Sequence, residues 1–386
     1  MRHLRLGMVG GGPGAFIGGV HRMAARLDGH FTLVACALSP DPARAAAGAA
    51  ALGIAPDRAH ADFGAMARAE AARPDGIDVV AITAPNDVHY PAARAFLEAG
   101  IHVICDKPLC RDMREALALE AVVVASGRAF VLTHNYTGYP MVRHAREMVA
   151  AGELGRIRLV HVEYAQDWLT NALERTGQEQ AGQKQAAWRT DPVRTGGGGC
   201  LGDIATHAFN LAEFVSGLRV ESLAAELTTF VEGRRLDDNV QAMLRFEGAA
   251  RGALWSSQVA PGHENALRLR ISGEAASLDW RQEHPNHLHV GRLGQPASMI
   301  TRGGAGAGLA AAHATRIPAG HPEGYLEGFA QLYADAAALI RGWNTGDTGP
   351  GAHLLPGIAE GIRGMRFINA ALRSSGADGA WVSLEN

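Results

Sequence analysis

Two domains of different class are predicted: an α/β domain on a parallel sheet over residues 1–135, then an α+β domain with a large, mostly antiparallel sheet over residues 136–386. Three observations carry this. Up to Asn135, short apolar runs alternate with amphipathic helical stretches. Beyond Tyr136, strand-like runs follow one another across short turns. Finally, 386 residues exceed what one hydrophobic core usually serves.

In the first domain the candidate strands are residues 4–9, 32–38, 78–82, 102–105 and 129–132. Helical patterns lie at 17–27, 42–52, 63–72, 88–99 and 113–126. Strand–helix alternation with apolar, buried-type strands means a parallel sheet covered on both faces. In the second domain a helix over 140–151 stops at Gly152, and runs follow at 157–168, 220–231, 238–246, 250–259, 267–272, 276–280 and 287–290. Turns as short as Glu247-Gly248 and Gly273-Glu274 favour antiparallel pairing, because parallel neighbours need a crossover. Helices at 324–340 and 354–371 close the chain, the last a candidate to pack back on the first domain. Residues 169–185 are polar and Gln-rich and read as a loop able to cover a site. Residues 303–308 read as a flexible Gly/Ala connection, since they lack the preceding strand and following Lys-Ser/Thr of a phosphate loop.

Composition narrows the function classes. The chain is 47% hydrophobic and 19% charged with a net charge of -3, an ordinary globular balance with no basic footprint for nucleic acid. Cys36, Cys105, Cys110 and Cys200 form no CxxC pair, which suits a reducing compartment and argues against zinc or a disulfide framework. With no long apolar run to span a bilayer and no signal-peptide core, a cytoplasmic protein is expected.

The stretch from Leu6 to Gly18 places Gly10, Gly11, Gly12 and Gly14 between the first strand and the first helix. Glycines allow a tight turn and let backbone N–H groups approach a pyrophosphate, while the helix N-terminus adds partial positive charge. At the start of a βαβ series this reads as a Rossmann dinucleotide site, with Gly10, Gly12, Gly14, Ala15, Phe16 and Ile17 around the phosphates. The second strand ends at Ser39-Pro40-Asp41-Pro42-Ala43-Arg44. Asp41 fits a ribose 2′-hydroxyl or the cap of the next helix, and Arg44 fits a 2′-phosphate; NAD is favoured over NADP.

Two further strand ends lie on the same ligand-binding edge: Pro85-Asn86-Asp87-Val88-His89 and Asp106-Lys107-Pro108. Lys107 is a cation that can stand beside a nicotinamide and a substrate hydroxyl, or simply be solvated. After Gly196-Gly197-Gly198-Gly199 a helix is expected, with Ile204, Ala208, Leu211, Ala212 and Val215 as its apolar stripe and Gly217 as its stop. Asp203 and His207 are four apart on a separate polar face, which Asn210 extends. A histidine suits removal of a hydroxyl proton during hydride transfer, and a carboxylate one turn away can orient it; an ordinary helix pair is the plainer reading.

Together these motifs resemble the Gfo/Idh/MocA family, named for glucose–fructose oxidoreductase, inositol dehydrogenase and a rhizopine catabolism protein, and including glycoside 3-dehydrogenases. That family shows a Gly-rich turn, Pro-Asn-x-x-His, Glu-Lys-Pro and Gly-Gly-x-x-x-Asp-x-x-x-His, and the match here spans nearly the whole chain. The resemblance implies a catalytic set of Lys107, Asp203 and His207, with His207 as general acid/base. It also implies cofactor contacts at Pro85, Asn86, His89, Asp106 and Lys107. Two departures stand out: Asp106 replaces the Glu, and Gly18-Gly19-Val20-His21 arrives about three residues late relative to the family's Gly-x-Gly-x-x-Gly-x-x-His.

Asn135, Tyr136, Trp168, Trp188 and Arg189 are candidates to wall a sugar site, and His321, by family analogy, to approach the substrate. His284, His287 and His289 cluster in sequence without a completing Cys or carboxylate, so no metal site is expected. The implied activity is NAD(P)-dependent hydride transfer at a secondary ring alcohol of a sugar, glycoside or inositol. Alternatives are a sugar enzyme using bound NAD without net redox (elimination, epimerisation or glycosidic cleavage), or a non-catalytic nucleotide or sugar sensor. A homodimer or homotetramer is expected, because an open sheet would expose apolar area.

Overall fold

A computed structural model describes residues 2–175 and 181–385. The chain divides into two compact units: Met1–Asn135 with Phe329–Ile362, and Tyr136–Gly328 with Arg363–Asn386.

The first unit carries β1 (Leu4–Gly10), α1 (Phe16–Leu27), β2 (Phe31–Ala37), α2 (Pro42–Ala51), α3 (Phe63–Ala72), β3 (Val79–Thr83), α4 (Asn86–Glu98), β4 (His102–Cys105), α5 (Met113–Ser126) and β5 (Phe130–Leu132). Its sheet runs β2-β1-β3-β4-β5 with every pair parallel. β3 and β4 are buried at every residue, as strands covered on both faces must be. Strand order reverses between β1 and β3, where open α/β sheets bind ligands.

The second unit begins with α6 (Pro140–Ala150) and β6 (Ile157–Ala165), followed by α7 (Ala181–Arg189), α8 (Pro192–Thr195) and α9 (Thr206–Ser216). Next come β7 (Val220–Thr228), β8 (Asn239–Phe246), β9 (Arg251–Ser257), β10 (Ala266–Gly273), β11 (Ala276–Arg281), β12 (His287–Arg292), β13 (Ser298–Thr301) and α10 (Leu309–Ala314). Helices α11 (Tyr325–Gly342) and α12 (Ile358–Ser375) and the short β14 (Val382–Ser383) complete the chain; from Phe329 to Ile362 it belongs to the first unit, not to the second as the 136–386 boundary expected. Among the described residues the sheet has nine strands, β13-β12-β11-β10-β6-β9-β8-β7-β14, antiparallel except where β6 pairs with β9. That parallel pair escaped the sequence reading because β6 inserts between strands distant in sequence. α6 and α9 cover one face of the sheet. The other face presents alternate residues such as Met243, Ala253 and Trp255.

Three expectations change. Residues 169–185 are not a single loop: a 3-10 turn forms at Leu173–Arg175 and helix α7 starts at Ala181, while residues 176–180 lie outside the described residues. The chain after the glycine run opens with a π turn, Leu201–Ala205, rather than an α-helix. α9 is buried nearly all round, His207 and Asn210 included, so its polar face is interior rather than solvated.

Candidate active site

In the first unit, Gly10 ends β1 and pairs with Thr83 at the end of β3, which sets the glycine turn beside the Pro85-Asn86 turn. Gly11 and Gly18 pack so closely that a Cβ on Gly18 would overlap the Gly11 backbone, and one on Gly11 would overlap Thr83 Oγ1. Arg22 holds the turn from behind by donating to the Gly11 carbonyl. α1 begins at Phe16 with Ala15 as its N-cap and no side-chain cap. That end carries the partial positive charge of a helix N-terminus.

The other first-unit candidates are fixed by their own bonds. Asp41 is the N-cap of α2, accepting from Arg44 N at 2.9 Å, and Ser39 Oγ accepts from Asp41 N at 3.1 Å. Asp41 thus caps α2 through one carboxylate oxygen, Oδ1, and Arg44 is exposed. Asp106 Oδ1 accepts from Thr133 Oγ1 at 2.8 Å and from Lys107 N at 3.0 Å, and buried His21 Nε2 lies 4.0 Å away. His21 also meets the Tyr333 hydroxyl at 2.8 Å, and burial pushes its pKa down to about 4. His89 differs from its expected cofactor contact. Its ring nitrogens face the Pro108 carbonyl at 2.8 Å and the Ala84 carbonyl at 2.9 Å. It braces the turn beside half-buried Lys107 against the end of β3 instead of offering a nitrogen to a ligand.

Asn135 is buried, and neither its Nδ2 nor its Oδ1 finds a partner among the described residues. Leaving such groups unmatched costs about 1–3 kcal/mol each, so this amide is suited to a polar ligand.

In the second unit the structure gathers most of the sequence candidates. The His207 ring meets Tyr136 edge-on at 5.0 Å and lies 6.3 Å from the Tyr164 ring. Tyr136 and Tyr164 share a hydrogen bond of 2.6 Å. Tyr164 donates to Asn265 Oδ1 at 2.8 Å, so Tyr136 is the donor to Tyr164. Gln166 donates to the same Asn265 oxygen at 2.6 Å, and Trp168 Nε1 donates to Gln166 at 3.1 Å. Burial raises the Tyr136 hydroxyl to about 12, which keeps it a donor at neutral pH. Asp203 is half-buried; Gln258 Nε2 donates to its Oδ2 at 2.8 Å and Arg189 Nε lies 3.2 Å from the same oxygen. The Arg189 guanidinium also sits 4.4 Å over the Trp188 ring.

His321 is not part of this group. It is exposed on a turn whose main chain is held by Arg302, itself paired with buried Glu323 at 2.8 Å. His284, His287 and His289 line a small pocket of about 220 Å³ with Arg281. Sequence reasoning missed Tyr164, Gln166, Gln258 and Asn265. Tyr164 alternates with Val160 and Val162 on the buried face of β6, a signal that was readable. The other three sit at strand ends and in turns, where no periodicity marks them.

Residues 4–134 match the model of the oxidoreductase family with an NAD-binding Rossmann fold, and residues 142–279 match that of the GFO/IDH/MocA C-terminal domain. An uncharacterized oxidoreductase, YfiI of Bacillus subtilis (strain 168), is 33% identical over 99% of this chain and 97% of its own. The chain belongs to the Gfo/Idh/MocA oxidoreductase family. Two solved structures resemble it throughout. An oxidoreductase from Sinorhizobium meliloti is 49% identical with a TM-score of 0.89, covering 99% of this chain and 100% of that one. An inositol dehydrogenase homolog from Azotobacter vinelandii, complexed with NADH and myo-inositol, is 36% identical with a TM-score of 0.91, covering 99% and 98%.

This family member thus has an NAD-binding Rossmann domain, and its residues fit the group. The glycine turn leaves open space at Gly14, where a Cβ would meet nothing, and leads into the N-terminus of α1, a place suited to a pyrophosphate. Among the described residues, no helix is long and apolar enough to cross a membrane, and no three His, Cys, Asp or Glu side chains are grouped to hold a metal.

Proposed function

We propose that the protein transfers a hydride between NAD(H) and a secondary ring alcohol of a sugar or cyclitol. When bound, the cofactor supplies the redox chemistry. In this reading His207 takes the hydroxyl proton as the alcohol is oxidised and returns it in reduction. Lys107 donates to the alcohol oxygen and stabilises the charge that develops there. Asp203, pinned by Gln258 and flanked by Arg189, accepts from a neighbouring ring hydroxyl and fixes which carbon is presented. Tyr136, Trp168 and Trp188 form apolar walls for the ring, and the Asn135 amide offers its N–H donors and its oxygen acceptor to a ligand hydroxyl. Asp41 serves the ribose through the oxygen left over from its cap, with NAD preferred to NADP.

The observation that carries the reading is the gathering of His207, Tyr136, Asp203 and Arg189 in the second unit of a chain whose first unit is built for NAD. The Azotobacter relative's complex with NADH and myo-inositol supports the substrate class. The test is an absorbance screen at the NADH band with inositols, glucosides and other pyranosides, run with NAD+ and NADP+. Stoichiometric NADH from a ring polyol is expected. Tight NAD binding without turnover of any polyol contradicts it and favours a sensor.

The reading also has the protein self-associate through the outer face of the nine-stranded sheet, where Met243 is 57% exposed beside Ala253 and Trp255. Met243→Glu is expected to shift the mass in sedimentation toward the single chain; an unchanged mass removes that face from the interface.

A further inference from the structure

The Asp237 carboxylate accepts two backbone N–H groups, from Gly199 and from Leu201, each at 2.7 Å. The Asp237 carbonyl accepts the N–H between them, from Cys200, at 2.9 Å. Three successive amides of the chain entering the π turn are therefore stapled to one residue. Gly199 lies so close that a Cβ there would overlap the Asp237 carbonyl. One turn on, Asp203 N donates to Gly199 O at 2.9 Å, and the Thr206 hydroxyl donates to Gly202 O at 3.0 Å. The next residue along, Asp238, continues the frame. Its carbonyl accepts from Gln258 N at 2.9 Å, and it is the Gln258 side chain that holds Asp203. Its carboxylate accepts from Phe230 N, Val231 N and Arg234, and Arg234 donates in turn to the Leu169 carbonyl at 2.9 Å, next to Trp168.

A glycine run leading into a helical turn ordinarily leaves its N–H groups for an outside anion. Here the chain supplies its own. We infer that Asp237 is a positioning residue: an internal anion that locks the π turn in register and so sets the directions of Asp203 and His207. A π turn admits one more residue per turn than an α-helix and is a marginal conformation. Without the staple the segment can relax to α-helical spacing, which swings Asp203 relative to His207 and away from the Gln258 amide. Asp237 touches neither substrate nor cofactor in this scheme and acts through the turn alone. The inference rests on the proposed roles of Asp203 and His207.

The experiment compares wild type, Asp237→Asn and His207→Asn, with myo-inositol as first probe and otherwise the polyol the screen selects. The amide of Asn presents a donor to at least one of the two N–H groups, so the staple opens while size is kept. Asp237→Ser, which keeps one acceptor, stands in if the Asn protein does not fold. The expected result is faster hydrogen exchange at Gly199–Leu201, a fall in kcat of about 10²-fold, as for a small misplacement of a reacting group, and a larger primary deuterium isotope effect. The dissociation constant for NAD should not change. Retained exchange protection, or an unchanged kcat with protection lost, overturns the inference. His207→Asn separates the two readings. If it keeps full turnover, the assigned catalytic role fails, whereas the exchange result still reports on the staple.

Discussion

Two glycine-rich turns lead into helices in this protein, and they treat the same backbone groups in opposite ways. The turn after β1 delivers α1 with Ala15 as N-cap, a residue whose side chain makes no capping bond. The turn before α9 delivers Gly199 and Leu201 with both amides already on the Asp237 carboxylate. The first is capped by a side chain with nothing to accept a hydrogen bond, and the second is closed by a carboxylate from within. Glycine content alone does not separate a phosphate site from a scaffold; the separation lies in whether a carboxylate distant in sequence has filled the amides.

The largest expected effect concerns the chemistry that the closed turn carries. Replacing His207 by Asn or Lys107 by Met should lower kcat by about two to four orders of magnitude, as for lost acid/base or charge-stabilising groups, with NAD affinity retained. Steady-state rates with the best polyol and a fluorescence titration of NAD check both halves. Next come alanines in the two turns, which should part company. Gly11→Ala pushes against Thr83 and Gly18 and should weaken NAD binding at least tenfold, about 1.4 kcal/mol. Gly199→Ala pushes against Asp237 and should reduce turnover while leaving that titration alone. If both alanines weaken NAD equally, the distinction between the turns is lost.

The smallest effect is in stability. Burial raises the Asp237 carboxyl from its ordinary 3.8 to about 6, the two amide hydrogen bonds offsetting only part of the cost and neighbouring Asp238 adding to it. Buried Cys200 also faces this group. Because the folded chain holds this proton at a pH where the unfolded chain has released it, the group's stabilising contribution is full below about pH 3.8 and declines as pH rises through about 6. Urea midpoints for wild type and Asp237→Asn should therefore converge or cross as pH is raised across that window. A difference that is flat with pH contradicts the assignment.

The same contrast explains what was legible in the sequence. The first unit could be read almost element by element, since each strand and helix of a βαβ series is bounded locally and its glycine turn follows β1 directly. The candidate catalytic residues of the second unit could be named by motif, but their surroundings could not. His207 looked like the polar side of an amphipathic helix. It is buried because α9 packs on the sheet and Tyr136 and Tyr164 close over it. Gln258 and Asp237 reach the site from 55 and 36 residues away along the chain, to Asp203 and Leu201 respectively. No periodicity in a short window encodes such contacts. The π turn was invisible for a related reason, because it is imposed by the Asp237 staple rather than by local propensity.

The most direct test of the catalytic assignment is the rate of the hydride-transfer step itself. NAD-loaded enzyme is mixed with the selected polyol and followed at the NADH band for wild type, Lys107→Met, His207→Asn and the double variant. Each single variant should slow the transient by about 10²-fold or more, and the double should fall well short of the product of the two losses, as groups serving one proton transfer do. Single variants that form NADH at the wild-type rate would contradict the assignment outright.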